Sequence, residues 1–314
     1  MQARAPIPVI CGPTAGGKSA LAVALALGLR QHGVAAEVVT ADAFQVYRGM
    51  DIGTAKPTPR EMAGVPHHLI DLVESTARFT ASEWLGLAQA AIADCGARGV
   101  LPIVVGGTHL YVKLLVDGMF EGPAADDALR AELSALTPGV LRAELERVDP
   151  ASAARLHPND IRRTVRAIEV FRLTGTPISE HQQQWATGGA ASHFRLVTLQ
   201  WPVEVINQRI NARVRAMFDS GLEGEARALW AGSRLGATAR EALGYKQLVE
   251  HFEGRCTLEE AGERIKIETR RFAKNQRTWL KQLRARAGSV VLDAGSTDPG
   301  EWPGVLLHAL EKGP

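Results

Sequence analysis

Short apolar segments alternate with longer amphipathic ones in both halves of the chain. The apolar segments are uniformly hydrophobic, which is typical of strands buried on both faces of a sheet; they read IPVICG, AEVVTAD, LPIVVGGT, FRLVTLQW and SVVLDAG. Between them, KSALAVALALGLRQHG and ASEWLGLAQAAIADCGARG have the spacing of helices and end in glycine. Strands that alternate with helices predict an α/β fold, in which helices cover both faces of a mostly parallel sheet.

This alternation stops between about Phe120 and His193. The segment in between is helical by its spacing, and ATGGAAS near its end has the composition of a flexible connection. We therefore predict a helical insertion at residues 120–192. Residues 1–119 and 193–314 would form the α/β core, with basic helices towards the C-terminus.

The stretch GPTAGGKS follows the first predicted strand and opens the first predicted helix. This is the context of a phosphate-binding loop, whose glycines let backbone N–H groups surround an anion. The helix N-terminus and Lys18 add positive charge, and the Ser19 hydroxyl suits Mg²⁺. The alternative is a glycine-rich turn with a solvated lysine. The predicted phosphate ligands are Gly12, Pro13, Thr14, Ala15, Gly16, Gly17, Lys18 and Ser19.

A bound diphosphate can be attacked at phosphorus or can serve as the leaving group from carbon. A nucleotide hydrolase needs a carboxylate for Mg²⁺ at a strand end, and Asp71 in HHLID is only a weak candidate. Asp42 ends the second strand, where open α/β sheets bind ligands, and it could accept a proton from an amine or hydroxyl. Alternatively, Asp42 caps a turn. We expect Lys56, in the following loop, to be solvated.

Charge is unevenly distributed along the 314 residues, although the net charge is only +2. Between positions 195 and 287 there are 18 lysines and arginines against 11 acidic residues, which indicates a surface for a polyanion. A helix predicted from about Leu258 to Arg286 contributes five of these cations on one face, called here the basic stripe. The stripe consists of Arg270, Lys274, Arg277, Lys281 and Arg284.

A row of cations at this spacing suits a nucleic-acid backbone. The alternative is a solvated basic helix. We expect Phe272, Trp279 and Leu283, on another face of the same helix, to contact the core. Two smaller sets of cations add to the stripe and together predict an anion-binding channel; they are Arg162, Arg163 and Arg166, and Arg209 with Arg213.

Nothing in the sequence indicates a membrane span or a secretory signal. The three cysteines are widely spaced and form no metal-binding pattern. They predict reduced thiols in a cytoplasmic protein.

Eight segments, in this order, resemble the tRNA dimethylallyltransferase family. They are GPTAGGKS, DAFQVYRGMDIGTAKP, PHHLID, VGGTHLYVKLLVDG, HPNDIRRTVRAIEVFRLTG, RVRAMFDSGLEGE, ALGYKQL and TRRFAKNQRTWLK. The resemblance implies a P-loop kinase-like α/β core with a helical insertion. It also implies transfer of a dimethylallyl group from dimethylallyl diphosphate to the exocyclic amine of the adenosine 3′ of a tRNA anticodon. The phosphate loop would then hold a prenyl diphosphate.

The resemblance also assigns roles to residues. Asp42 would take the proton of the amine, while Thr14, Lys18, Ser19 with Mg²⁺, and Arg213 would stabilise the departing diphosphate. The expected partner is the anticodon stem-loop of tRNA, bound by a monomer. The tRNA contacts implied by the family and by the stripe are Asp42, Ala43, Phe44, Gln45, Thr108, Arg130, Arg162, Arg163, Thr164, Val165, Arg166, Gly244, Tyr245, Lys246, Arg270, Lys274 and Arg277.

The sequence departs from the family pattern at four positions. Ala43 replaces the usual serine, which removes one hydrogen bond near Asp42, and the others are Gly16, His109 and Asn275. No zinc-finger pattern follows at the C-terminus, which favours the bacterial type. Three other functions stay open at this point: an adenylate prenyltransferase, a P-loop kinase of small molecules, and an RNA-binding protein without activity.

Overall fold

The computed structural model describes residues 6–118, 122–183, 193–286 and 288–311. All five predicted strands form, and a sixth, two-residue strand was not predicted from the sequence. The strands are β1 (Ile7–Cys11), β2 (Ala36–Thr40), β3 (His67–His68), β4 (Leu101–Gly106), β5 (Phe194–Gln200) and β6 (Val290–Asp293). Within the described residues they form one sheet in the order β3-β2-β4-β1-β5-β6, and every pairing is parallel. The predicted α/β class is confirmed.

The centre of the sheet positions the phosphate loop. On β1, Val9 lies opposite Val104 of β4 and opposite Leu196 of β5, and Val9 itself is fully buried. The chain leaves β1 for a helix and returns in β2, which pairs with β4 and not with β1. The loops after β1, β2 and β4 therefore meet at the carboxyl edge, where sheets of this kind bind ligands.

The helices begin where the sequence supplies capping groups. Thr80 and Thr257 each form a capping box with a glutamate three residues later. The helices are α1 (Lys18–Gln31), α2 (Pro59–Met62), α3 (Ala81–Ala97), α4 (His109–Asp117), α5 (Asp127–Ser134), α6 (Pro138–Val148), α7 (Pro150–Arg155), α8 (Ile161–Thr174), α9 (Ile178–Gln183), α10 (Val203–Asp219), α11 (Leu222–Ala231), α12 (Tyr245–Phe252), α13 (Leu258–Arg284) and α14 (Trp302–Glu311), with a 3-10 turn at Ala239–Glu241. No helix in the described ranges is long and apolar enough to span a bilayer.

The buried face of α13 differs from the predicted one. Leu283 is buried as expected, but Phe272 is 42% and Trp279 36% exposed. The buried face consists of Ala261, Ile265, Ala273, Gln276, Leu280 and Leu283. Two of these residues are small and one is polar, so side-chain hydrophobicity did not mark the face that packs against the core.

The chain divides into two compact units, residues 1–116 with 192–314 and residues 117–191. The second unit carries α5 to α9 and has its own apolar core, to which α6 contributes Leu141 and Leu145 and α8 contributes Ile168. The predicted flexible connection Ala186–Ser192 lies outside the described residues.

Candidate active site

The loop between β1 and α1 folds around its own carbonyl groups. The Gly16 N–H donates to the Pro13 carbonyl at 3.1 Å, and the Lys18 ammonium donates to the same oxygen at 2.8 Å. Gly17 caps α1 with a φ of 88°, in the left-handed region that glycine tolerates. Ala15 also has a positive φ, 59°, which is uncommon for a residue with a Cβ. Strain of this kind persists only where the surrounding structure holds the loop.

Two side chains from α10 and its preceding segment hold the loop in this shape. The Arg209 Nε donates to the Ala15 carbonyl at 2.9 Å, and the Trp201 Nε1 donates to the Gly16 carbonyl at 3.1 Å. The Arg209 guanidinium also lies over the Trp201 ring, 4.6 Å from its centroid. This cation–π contact orients both donors towards the loop.

Gln276 of α13 joins the loop to the end of β4. Its Oε1 accepts from the Thr14 N–H at 2.7 Å, and its Nε2 donates to the Gly107 carbonyl at 2.9 Å. A Cβ at Gly107 would lie 2.7 Å from that Nε2, and a Cβ at Gly106 would lie 2.0 Å from the Ala41 carbonyl. The two glycines are therefore required for β2, β4 and α13 to approach the loop this closely.

Asp42 uses one of its two carboxylate oxygens to shape the turn after β2. Its Oδ1 accepts from the N–H groups of Phe44 at 2.9 Å and Gln45 at 3.2 Å. Among the described residues, no hydrogen bond reaches Oδ2. The turn-capping role considered from the sequence therefore coexists with a free carboxylate oxygen that can accept a proton.

One cavity of about 70 Å³ brings the predicted catalytic residues together. Its lining includes Thr14, Lys18, Ser19, Asp42, Gln45, Gly107 and Arg213. Burial lowers the pKa of the Lys18 ammonium to about 8; the charge of Arg213 acts in the same direction, and Asp42 opposes it. Burial likewise lowers the pKa of Arg213. Two cations in so little water favour an anionic ligand.

A second, larger cleft of about 910 Å³ adjoins this cavity and shares Lys18, Ser19 and Arg213 with it. Its walls are largely apolar and come from α1, α10 and the loop before α2. They include Val23, Leu27, Ile52 and Met217. The phosphate loop can therefore be reached both from the small polar cavity and from the larger apolar cleft.

The oxygen donors of the small cavity fit a hard divalent cation. The hydroxyls of Thr14 and Ser19 and the carboxylate of Asp42 line the same space. Mg²⁺ prefers such oxygen ligands and is usually completed by phosphate oxygens and water. The imidazole of His67 also lines this cavity, beside the oxygen donors.

Lys56, near the site, has partners that the sequence did not indicate. Lys56, expected to be solvated, is 6% exposed in its side chain and donates to the Tyr47 carbonyl. It also pairs with Asp51 and Asp71. This corrects the prediction for Lys56, and it occupies the Asp71 carboxylate that was the weak candidate for a metal ligand.

Of the predicted tRNA contacts, the residues after β2 lie beside those after β4. The Ala43 N–H donates to the Thr108 hydroxyl at 3.0 Å, so the two loops are joined. The Gln45 side chain is 8% exposed and donates to the carbonyls of Thr54 and Ala55. Phe44 is half-buried next to them.

Four of the predicted tRNA contacts have buried side chains, which are Gln45, Thr164, Val165 and Tyr245. Thr164 and Val165 are 3% and 6% exposed because they lie on the inner face of α8. Tyr245 is fully buried, and its hydroxyl donates to Glu225. Arg162 and Arg163, by contrast, are exposed. Lys246 is exposed too, and it pairs with Glu241.

Arg130 and Arg166 share one partner within the insertion unit. Both bind the carboxylate of Glu169, which is fully buried. The Asp126 N–H donates to the same carboxylate at 2.9 Å. Burial would raise the pKa of Glu169, but the hydrogen bonds from Arg166 and Arg130 outweigh it and lower the pKa. The two guanidinium groups are thus held in fixed positions by a charged residue.

The basic stripe is divided into cations with and without protein partners. Arg270 donates to Asn211, and Arg284 donates to Gln200. Lys274 and Lys281 are exposed. The Nη1 atom of Arg277 is buried and has no hydrogen-bond partner in the part of the chain that is described. The middle of the stripe is therefore the part that is available to phosphates.

His109, one of the departures from the family pattern, packs beside this stripe. Its ring stacks on Trp279 with centroids 6.3 Å apart. Burial, and then the charge of Lys18, lower the pKa of His109 to about 4, so the ring is neutral at pH 7. It therefore adds no charge to the cavity.

Comparison with known protein families decides the assignment. A model described as IPP transferase matches residues 45–283, and one described as Isopentenyl transferase matches residues 5–77. The chain belongs to the IPP transferase family. A tRNA dimethylallyltransferase of Geobacter sulfurreducens is 45% identical over 279 residues, which cover 87% of this chain and 88% of that protein.

Two solved structures of the family have the same fold. A full-length tRNA isopentenylpyrophosphate transferase from Bacillus halodurans is 36% identical with a TM-score of 0.70, and 98% of each chain is covered. A eukaryotic dimethylallyltransferase, described as acting on tRNA, is 26% identical with a TM-score of 0.80. That match covers 98% of this chain and 80% of the other. The P-loop type of α/β core predicted for the family is confirmed.

Sequence reasoning missed the residues that hold the loop from outside. Gln276 lies within a segment that resembles the family, but nothing local marks it as a partner of Thr14, 262 positions away. In the sequence, Arg209 stands out only as the i, i+4 partner of Arg213, and Trp201 only as the end of a strand. The one signal that could have indicated Gln276 is a glutamine among the cations of a helix, because such a residue needs hydrogen-bond partners if it is buried.

Proposed function

We propose that this enzyme transfers a dimethylallyl group from dimethylallyl diphosphate to the N6 amine of the adenosine 3′ of a tRNA anticodon. The observation that carries the proposal is the shared cavity, which Asp42 lines together with Lys18, Ser19 and Arg213. A base and an anion-binding loop in one cavity suit an alkyl transfer that expels diphosphate. The relatives named tRNA dimethylallyltransferase support the choice of substrates.

The reaction then needs little covalent chemistry from the protein. The N6 lone pair forms a bond to C1 of the dimethylallyl group, while the bond from C1 to the diphosphate oxygen breaks and its electron pair leaves with diphosphate. The amine proton passes to Oδ2 of Asp42. Lys18, Arg213 and the N-terminus of α1 stabilise the charge that grows on the leaving group.

Mg²⁺ would be held by the Ser19 hydroxyl, with the Thr14 hydroxyl beside it. When bound, it supplies positive charge that weakens the bond to the leaving diphosphate. The apolar walls of the larger cleft offer a route by which the prenyl diphosphate reaches the loop. The adenine would arrive from the side of Asp42.

The adenine amine is stacked within RNA, so the base must be extruded into the cavity before it reacts. The middle of the basic stripe, Lys274 and Arg277, would bind phosphates next to the site. The exposed Phe272 and Trp279 on the same helix offer faces for stacking of RNA bases. We propose further that the enzyme works in the cytoplasm and as a monomer.

The direct test is to incubate the purified protein with an anticodon stem-loop, dimethylallyl diphosphate and Mg²⁺. Mass spectrometry of the RNA should show the added mass of one dimethylallyl group on the adenosine 3′ of the anticodon. A stem-loop with guanosine at that position is the matched control and should stay unmodified. Modification of free adenylate in place of RNA would identify an adenylate prenyltransferase. Turnover of ATP without use of prenyl diphosphate would identify a kinase.

The substitution Asp42→Ala separates an enzyme from an inactive RNA-binding protein. We expect kcat to fall by about 10²–10⁴-fold because the base is lost, while RNA affinity stays within a few-fold of the wild type. Asp219→Asn, an exposed carboxylate at the end of α10, is the control and should keep full activity. Unchanged turnover in Asp42→Ala would refute the assignment of the base.

A further inference from the structure

Three metal-binding side chains meet at the edge of the sheet that lies opposite the active site. Glu37 comes from the start of β2, His68 from β3, and Cys95 from the last turn of α3. Asp42, beyond the other end of β2, is five residues from Glu37, or about 16 Å along an extended strand. The cluster of Glu37, His68 and Cys95 is therefore separate from the proposed reaction.

The donor atoms of this cluster are arranged around one point. Cys95 Sγ lies 3.5 Å from Glu37 Oε2 and 3.9 Å from His68 Nε2, and those two atoms are 2.7 Å apart. Around a tetrahedral Zn²⁺ with bonds of about 2.0–2.3 Å, neighbouring donor atoms lie about 3.3–3.8 Å apart. Only the contact between His68 and Glu37 must lengthen, by less than 1 Å as these spacings imply, for all three to bind one ion.

We propose that Glu37, His68 and Cys95 form a three-ligand Zn²⁺ site that ties the two-residue strand β3 and the end of α3 to β2. A thiolate, an imidazole and a carboxylate form a donor set typical of Zn²⁺ and unsuited to Mg²⁺. Cys95 is fully buried, while the His68 side chain is 29% exposed. His68 therefore offers the entry path from solvent, and a water molecule would complete the coordination.

Arg98 is the group that competes with a metal ion for Glu37. Its Nη1 and Nη2 donate to the two carboxylate oxygens at 2.7 Å each, and its Nε donates to Asp94 at 2.8 Å. Arg98 Nη2 also donates to Cys95 Sγ at 3.6 Å, so it must leave both that sulfur and Oε2 for a metal ion to bind, while Nη1 keeps Oε1 of Glu37 and Nε keeps Asp94. The charges also balance, since Zn²⁺ displaces the Cys95 proton and adds a single net positive charge to a cluster that Asp94 makes negative.

The metal site makes the edge of the sheet more stable. Strand β3 has only two residues and pairs with β2 alone, so few backbone hydrogen bonds hold it. A metal that binds the folded chain only adds stability in proportion to the logarithm of its concentration. Zn²⁺ is then expected to raise Tm without being required for the transfer reaction.

The test uses the full-length protein without an affinity tag, freed of metal by a chelator and titrated with Co²⁺ and then Zn²⁺. Wild type should bind one equivalent of Co²⁺ with a thiolate-to-cobalt absorption band in the near ultraviolet, and Zn²⁺ should abolish the band and raise Tm. Cys95→Ser should lose the band and the shift in Tm. The matched control Cys256→Ser, which changes a half-buried cysteine elsewhere, should keep both.

A second variant guards against misfolding of Cys95→Ser. Substitution of a residue that hydrogen-bonds to a metal ligand typically weakens metal binding by roughly 10- to 100-fold. His68→Gln changes the more exposed ligand itself, so it should weaken Co²⁺ binding by more than that. Its Tm in metal-free buffer should equal that of the wild type. The proposal is overturned if wild type gives no thiolate band, if Cys95→Ser keeps the band, or if Cys256→Ser loses it.

Discussion

The function proposed for Lys18 requires a charged ammonium, whereas its buried position favours the neutral amine. Its ammonium must be charged to hold diphosphate, yet burial and Arg213 lower its pKa to about 8. The charge is therefore complete below about pH 8 and is lost as pH rises through that value. A bound diphosphate would restore it, because an anion favours the charged form.

This predicts a difference between two kinetic pH profiles. The value of kcat/KM for dimethylallyl diphosphate, which reports the free enzyme, should fall above about pH 8. The fall in kcat should begin at higher pH, since the bound anion raises the pKa. In Lys18→Arg the limb near pH 8 should vanish, because a guanidinium stays charged. If kcat/KM of Lys18→Arg still falls at the same pH, the fall is due to the titration of another group.

At the scale of elements, α13 connects the surface proposed for RNA to the phosphate loop. One face of the helix carries the basic stripe, and its buried face places Gln276 between Thr14 and Gly107. A shift of α13 on RNA binding would therefore move a backbone N–H of the loop. This link lies entirely within the α/β unit.

Removal of the Gln276 amide should damage the loop more than the RNA surface. In Gln276→Ala the Thr14 N–H and the Gly107 carbonyl lose their partner, at a cost of about 1–3 kcal/mol for each buried group. We expect KM for dimethylallyl diphosphate to rise clearly and KM for the stem-loop to change little. Gln282→Ala, an exposed glutamine on the same helix, is the control. Equal changes in both KM values would mean that Gln276 supports the fold generally.

The stripe predicts a particular dependence of RNA binding on salt. Loss of one phosphate contact in Lys274→Ala or Arg277→Ala should reduce the slope of log Kd against log salt by about 0.7–0.9. Arg270→Ala should change it less, because Arg270 donates to Asn211. Arg30→Ala, at the far end of α1, should leave the slope unchanged. If the slope is the same in Lys274→Ala and Arg277→Ala as in the wild type, the stripe does not contact the RNA.

At the scale of the whole molecule, the chain forms two compact units, and each has its own apolar core. Glu169 lies in the interior of the insertion unit and holds Arg130 and Arg166. Glu169→Ala leaves two partly exposed cations and the Asp126 N–H without their partner, which should destabilise that unit by about 1–3 kcal/mol. Limited proteolysis should then cleave within residues 117–191 and spare the α/β unit.

Glu132→Ala is the matched control for this experiment. Glu132 pairs with Arg172 on the surface of the same unit, with 62% of its side chain exposed. A surface pair contributes at most about 1 kcal/mol, so the cleavage pattern should stay that of the wild type. Cleavage throughout the chain in Glu169→Ala would show that the two units do not unfold separately.

The sequence by itself determined the features that depend on neighbours along the chain. Five strands, the helices α1 and α13, the phosphate loop and the position of Asp42 after β2 all follow from local spacing and from backbone geometry. The tertiary structure alone decided the burial of Lys56, the bonds of Gln276 to the loop, and the meeting of Glu37, His68 and Cys95. Those contacts join residues far apart in sequence, and the free energy that favours them comes from packing and desolvation, which no local pattern records.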